Sequence, residues 1–161
     1  MLFLLDGYNI LFSLVDSEKT FSNQRQEVIT FLQKQFASLK LSGMLVFDGF
    51  HRSEEESGRG YESPLEIIFS PKGQNADSFI LEQIALAKNP KDIKVVTNDA
   101  GLTRQARASG AHVLTNTAFL EYLKKAHSKA TRAKSHEKDI TESPKSKERL
   151  QKIFEDRFRQ E

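Results

Sequence analysis

Met1-Leu2-Phe3-Leu4-Leu5-Asp6-Gly7-Tyr8-Asn9 opens the chain as an unbroken apolar run halted by an aspartate and a glycine. Five apolar residues without alternation suit a strand buried on both faces, and Asp-Gly reads as the turn that ends it. The pattern returns downstream. Met44-Leu45-Val46-Phe47 stops at Asp48-Gly49, and Ile93-Lys94-Val95-Val96-Thr97 stops at Asn98-Asp99. Leu65-Glu66-Ile67-Ile68-Phe69 is a further strand, closed by a turn from Ser70 to Gln74, and Ala111 to Leu114 is a short fifth one.

Helical spacing fills the gaps. Val28, Phe31, Leu32, Phe36 and Leu39 share one face over 24–40, with Ser22 as an N-cap. Residues 75–88 carry Phe79, Ile80, Ile84 and Ala87 on one side. A helix over 101–109 ends at Gly110, where glycine is favoured. Asn116 or Thr117 caps another helix carrying Phe119, Leu120 and Leu123. Residues 51–63 are polar and aperiodic and read as a loop. Strands alternating with helices predict an α/β fold, a mostly parallel sheet with helices on both faces.

Composition narrows the chemistry. The chain has 161 residues, enough for one domain and a tail. It has no cysteine, which excludes disulfides, zinc-thiolate sites and thiol nucleophiles. The net charge is only +2, so bulk charge does not announce a nucleic-acid binder. The opening apolar run is too short for a signal peptide, and no stretch reaches membrane-spanning length. A cytoplasmic protein that does not use a membrane is expected.

Past Leu123 the composition turns basic. Lys124, Lys125, Lys129, Arg132, Lys134 and Lys138 arrive with Glu137 as the acid among them. The domain is therefore drawn at 1–125 and a flexible basic linker at 126–147. An amphipathic helix over 148–161 follows, carrying Leu150, Ile153, Phe154 and Phe158. Its apolar stripe needs a partner: the chain's own core, a second copy in a homo-oligomer, or a ribosomal protein.

The aspartates carry the functional signal. Asp6, Asp48 and Asp99 fall at strand carboxyl ends, and Asp77 opens the helix after the third long strand. In a parallel sheet these points lie along one edge, where ligands bind. Singly, each aspartate suits a turn or a helix cap. Together they would repel one another unless a cation neutralised them, and a hard divalent ion such as Mg²⁺ or Mn²⁺ takes such oxygen ligands. Its natural chemistry is phosphodiester hydrolysis. Asn9, Thr97 and Asn98 stand beside these carboxylates in sequence, either to orient them and their waters or to close turns. Arg52, Arg59 and Arg104 are candidate phosphate contacts, with Lys124, Lys125, Lys129 and Arg132 as a basic surface for RNA. Tyr61 is a candidate base-stacking residue. Glu82 is a further helix acid.

In order, Leu4-Leu5-Asp6-Gly7-Tyr8-Asn9-Ile10, Val46-Phe47-Asp48-Gly49, Ile68-Phe69-Ser70 with Asn75-Ala76-Asp77, and Val95-Val96-Thr97-Asn98-Asp99 resemble the YacP-like branch of the NYN domains, relatives of PIN-domain nucleases. The resemblance covers residues 1–125. It implies a PIN-like three-layer sandwich and a Mg²⁺- or Mn²⁺-dependent endoribonuclease. Asp6, Asp77 and Asp99 would form its catalytic, metal-binding core, with Asp48 and Asn9 in support. Single-stranded RNA or mRNA, and the ribosome, are the implied partners. The chain departs from the family's pattern at Asn75, Ser78 and Asn98, where threonine, an acid and serine are usual.

Two other function classes compete. A non-catalytic RNA- or ribosome-binding module would keep the fold and the basic tail. A phosphatase or phosphotransferase would use strand-end aspartates, but Asp6-Gly7-Tyr8 lacks the Asp-x-Asp of aspartyl-phosphate enzymes. No G-x-G-x-x-G follows the first strand, which disfavours a dinucleotide-binding domain.

Overall fold

The computed structural model describes residues 1–14, 21–49 and 63–135. Five strands form one parallel sheet: β1 (Leu2–Asp6), β2 (Gly43–Phe47), β3 (Leu65–Phe69), β4 (Ile93–Val96) and β5 (His112–Leu114). The helices are α1 (Gly7–Leu14), α2 (Phe21–Leu39), α3 (Ala76–Leu86), α4 (Ala100–Ala108) and α5 (Asn116–Ser135). A 3-10 turn over Pro90–Asp92 leads into β4. Contacts divide the chain into two units, Met1–Ser128 and Lys129–Glu161, and of the second only 129–135 fall in the described residues.

The spatial order is β3-β2-β1-β4-β5. The chain steps outward from β1 to β3, then crosses back to β4 and steps outward the other way. Its direction reverses between β1 and β4, the place where parallel sheets open a crevice at their carboxyl ends. In register, Asp6 pairs with Val46 of β2, and Leu5 with Val96 of β4. β1 is the central strand, which explains why its residues need no polar alternation.

Period-two alternation splits β1 between two cores. Leu4 joins Val46 and Val95 with Ala76, Ile80 and Ile84 of α3 and Leu102 and Ala106 of α4. Phe3 points the other way, meeting Phe36 of α2 at 5.8 Å and Phe119 of α5 at 5.6 Å between ring centroids. The expected α/β sandwich with helices on both faces is therefore observed. Burying one such side chain contributes about 1.5–3 kcal/mol.

Three local expectations need correction. Asp6-Gly7 is not a free-standing turn, because α1 begins at Gly7 without an intervening loop. Ile10 and Leu11 bury the inner face of that helix. Ser22 does not precede α2, which already includes Phe21. Residues 126–135, assigned to the linker by composition, continue α5. Ala126, Ala130 and Ala133 favour helix there, and Arg132 and Lys134 suit the negative end of its dipole. Residues 136–147 and the expected helix over 148–161 lie outside the described residues. Among the described residues no helix is long and apolar enough to cross a membrane.

Candidate metal centre

The carboxyl edge of the sheet holds a cleft of about 280 Å³ lined by Asp6, Tyr8, Phe12, Asp48, Asn75, Ala76 and Asp77. Asp6 reaches it from the last position of β1 and is 8 % exposed. Asp48 follows β2. Its loop is clamped by buried Ser70, whose Oγ accepts from the Gly49 N–H at 3.0 Å and donates to the Gln74 carbonyl at 2.7 Å. A Cβ on Gly49 would lie 2.2 Å from the Ser70 carbonyl oxygen, so only glycine allows the two loops this close.

Asp77 lies in the first turn of α3 but does not cap it. The cap is Asn75, whose Oδ1 accepts from the Ser78 N–H at 2.8 Å. Asn75 therefore holds the cap and leaves the Asp77 carboxylate to the cleft. Glu82 is exposed and accepts from Gln74 Nε2 at 3.1 Å.

Asp99 is the N-cap of α4, its Oδ1 accepting from the Leu102 N–H at 2.7 Å. It is exposed and is not among the residues lining the cleft. Its charge is nevertheless felt by both Asp6 and Asp77.

Thr97 joins the two sides of the switch point. Its buried hydroxyl donates to Asp6 Oδ2 at 3.0 Å and accepts from the Asp99 N–H at 3.1 Å. The neighbouring Asn98 turns away from the carboxylates: its Oδ1 accepts from the Asn116 N–H at 2.9 Å. Asn9 Oδ1 accepts from the Asn98 N–H at 2.8 Å. Asn9 and Asn98 thus tie α1 to the loop after β4 and to the start of α5.

Asn116, read from sequence only as a cap, is the hub of that cluster. It is 2 % exposed, and its Nδ2 donates to the Asn9 carbonyl, Asn9 Oδ1 and Ser13 Oγ at 3.1, 2.9 and 2.7 Å. Its own Oδ1 is buried without a partner among the described residues. A signal existed, since Asn116 also follows a strand end, but a search for carboxylates passes over it. Asn116→Ala strips donors from partly buried acceptors and is expected to cost about 0.5–1.5 kcal/mol, read as a lower urea midpoint. An unchanged midpoint would show that the cluster is not what holds α5 to α1.

The electrostatics are lopsided. Burial, and then the Asp77 and Asp99 charges, push the Asp6 carboxyl up to about 6 against the opposing pull of hydrogen bonds from the Thr97 hydroxyl and the Asn9 backbone N–H. Burial also raises Asp77, helped by Asp99 and then Asp48. Among the described residues no positive side chain offsets either group. Nor do three His, Asp or Glu side chains gather to hold an ion between them. A Mg²⁺-type ion does not require that, since it keeps several waters and takes one or two carboxylates. Hard oxygen donors with uncompensated negative charge fit such an ion.

The basic residues are dispersed. Arg104 is exposed on α4, and Lys124, Lys125, Lys129 and Arg132 are exposed on α5. Arg52, Arg59 and Tyr61 lie outside the described residues.

The model of the YacP-like NYN domain matches residues 3–160. The chain belongs to that family. Solved structures agree on the fold. Rae1 (YacP) from Bacillus subtilis, as a W164L mutant, superposes with a TM-score of 0.65 at 20 % identity, over 88 % of this chain and 86 % of that one. A second structure of Rae1 (YacP) from the same organism gives 0.63 at 18 %, over 84 % and 80 %. No curated protein sequence matches the chain. The YacP-like NYN domain has a PIN-like, nuclease-type fold, and the carboxyl-edge cleft of this chain is built on it.

Proposed function

We propose that the chain is a divalent-metal-dependent endoribonuclease that hydrolyses RNA phosphodiester bonds in the cleft at the carboxyl edge of the sheet. The observation that carries this reading is the gathering of Asp6, Asp48 and Asp77 on one cleft, within reach of the Asp99 charge, with no positive side chain among the described residues offsetting Asp6 or Asp77. A binding site for an anion alone would not be lined this way. Membership of the YacP-like NYN family supports the same chemistry.

In this reading Asp6, Asp77 and Asp99 would hold Mg²⁺ or Mn²⁺ partly through its retained waters, with Asp48, which also lines the cleft, in support. Such an ion supplies an activated water and offsets charge on the phosphoryl oxygens. The chain's own residues set the stage. Thr97 fixes the rotation of the Asp6 carboxylate, and the α4 cap fixes Asp99 with one oxygen engaged and the other open. Asn9 keeps α1 in register with the loop after β4 through Asn98 and Asn116. Arg104 and the exposed Lys124, Lys125, Lys129 and Arg132 give sequence-independent attraction to the RNA backbone.

Single-stranded RNA incubated with Mn²⁺, Mg²⁺ or EDTA tests this. Cleavage with either metal and none in EDTA is expected. Asp77→Asn and Asp99→Asn should each lose about 10²-fold or more, the scale of one lost stabilising group at a reacting centre. Cutting in EDTA, or full activity in both variants, overturns the proposal. Among the described residues no three metal-ligating side chains gather, which favours a second reading, a non-catalytic RNA-binding module. Tight RNA binding without cutting under any metal would select it. The same samples, sedimented with ribosomes, test the mRNA-at-the-ribosome setting: a chain that stays in the supernatant removes it.

A further inference from the structure

The acidic cleft has an aromatic part that hydrolysis itself does not need. Tyr8 and Phe12, one turn apart on α1, line it beside Asp6, Asp48 and Asp77. Their rings stack at 6.2 Å with 26° between planes. Tyr8 is held firmly from behind. Phe47 meets it edge-on at 4.9 Å, and its hydroxyl accepts from Arg25 Nη1 at 3.2 Å. Arg25 is 3 % exposed, with its guanidinium 5.5 Å over the Phe69 ring, and Phe69 stacks on Phe47 at 5.6 Å. The backing is therefore preorganised.

Phe12, at the front, is 68 % exposed. Only Met1 and Leu86 share that degree of exposure among the large apolar side chains described, and both line a groove with Leu2 and Ile93 at the amino ends of the strands. Phe12 sits instead at the carboxyl end, in the cleft of the carboxylates. A single exposed apolar residue means little by itself. Here it forms a flat hydrophobic surface next to a site for a hard cation. An occupant that matches both has a planar apolar ring and an anionic group a short distance away.

We infer that Phe12, backed by Tyr8, is a stacking platform for an unpaired nucleobase of the RNA whose phosphate enters the carboxylate site; this rests on the nuclease reading above. In a duplex both faces of a base are covered by its neighbours. In a single strand a base swings out and stacks on an aromatic ring, whatever its identity. The platform thus selects single-stranded RNA without reading sequence.

Binding of a single-stranded oligoribonucleotide carrying 2-aminopurine tests this. The full chain is used, with Ca²⁺ in place of Mg²⁺ so that binding is read apart from cutting. Wild type is expected to quench the 2-aminopurine. Phe12→Leu keeps an apolar side chain but should bind roughly tenfold or more weakly and lose the quench, while Phe12→Trp retains both. An oligonucleotide made abasic at the labelled position should bind wild type and Phe12→Leu alike. Equal binding of the labelled strand by wild type and Phe12→Leu overturns the platform, as does equal affinity for duplex RNA. The two readings fail separately. Metal-dependent cutting indifferent to Phe12 removes only the platform, and Phe12-dependent stacking without cutting removes only the nuclease.

Discussion

Asp6→Asn is expected to abolish RNA cleavage and, at pH 7.5 in EDTA, to raise the thermal midpoint above that of wild type. Both effects come from one carboxylate. Its ordinary value is 3.8, and in the fold it rises to about 6. Between those values the folded chain keeps a proton that the unfolded chain has released. Stability therefore falls as pH rises from about 4 through about 6 and stays low above. A shift of about two units corresponds to about 3 kcal/mol, at 1.36 kcal/mol per unit. Asparagine keeps an oxygen for the Thr97 hydroxyl and carries no charge, so the cost disappears. The gain should be large at pH 7.5 and small at pH 4.5. Mg²⁺ or Mn²⁺ should stabilise wild type by about 2.7 kcal/mol at a hundred times its dissociation constant and leave the variant unmoved. A variant with no pH-dependent gain, or one that still cuts RNA at the wild-type rate, would refute this account of Asp6.

Gly7→Ala is expected to damage both folding and cleavage. A Cβ at Gly7 would lie 2.6 Å from Cδ1 of the buried Phe47 ring and 2.7 Å from the Val46 carbonyl oxygen. The ring is packed between Tyr8 and Phe69, and the carbonyl belongs to β2, the strand beside β1. Neither can retreat cheaply, so α1 has to move off the sheet. Overpacking of this kind costs about 1–3 kcal/mol. Because Gly7 follows Asp6 directly, the shift also carries the carboxylate away from Thr97. A displacement near 1 Å at a reacting centre costs about 10²-fold in rate. Calorimetry and the RNA assay read the two losses independently. Wild-type values in both would mean that α1 has slack not evident in its packing.

The strands and the parallel order were legible because each buried strand is an apolar run ended by a polar pair. α1 was not, because Asp6-Gly7 carries a strong turn signal. What makes it a helix is burial of Ile10 and Leu11 beneath α2 and β2, which no local pattern displays. Between Asn75 and Asp77, both good caps, the choice fell to Asn75 through its bond to Ser78. The positions of Asp6, Asp77 and Asp99 near one edge followed from topology. Asn116 showed only its place after a strand end, since its partner Asn9 lies 107 residues away in sequence. Phe12 looked like one more apolar helix position, and only the exposure of its ring distinguishes it.

The bridge made by Thr97 has a direction. The Asp99 peptide N–H can only give a proton, so the hydroxyl receives there and has one proton left to give. Asp6 Oδ2 is the acceptor within reach in that buried spot. The chain of three groups is one-way, running from the α4 side toward β1, and it assigns the two oxygens of Asp6 different jobs. Oδ2 is committed to the fold through the Thr97 hydroxyl. Valine at position 97 would fill the same space and remove that hydrogen bond, leaving the Asn9 backbone N–H to hold the carboxylate.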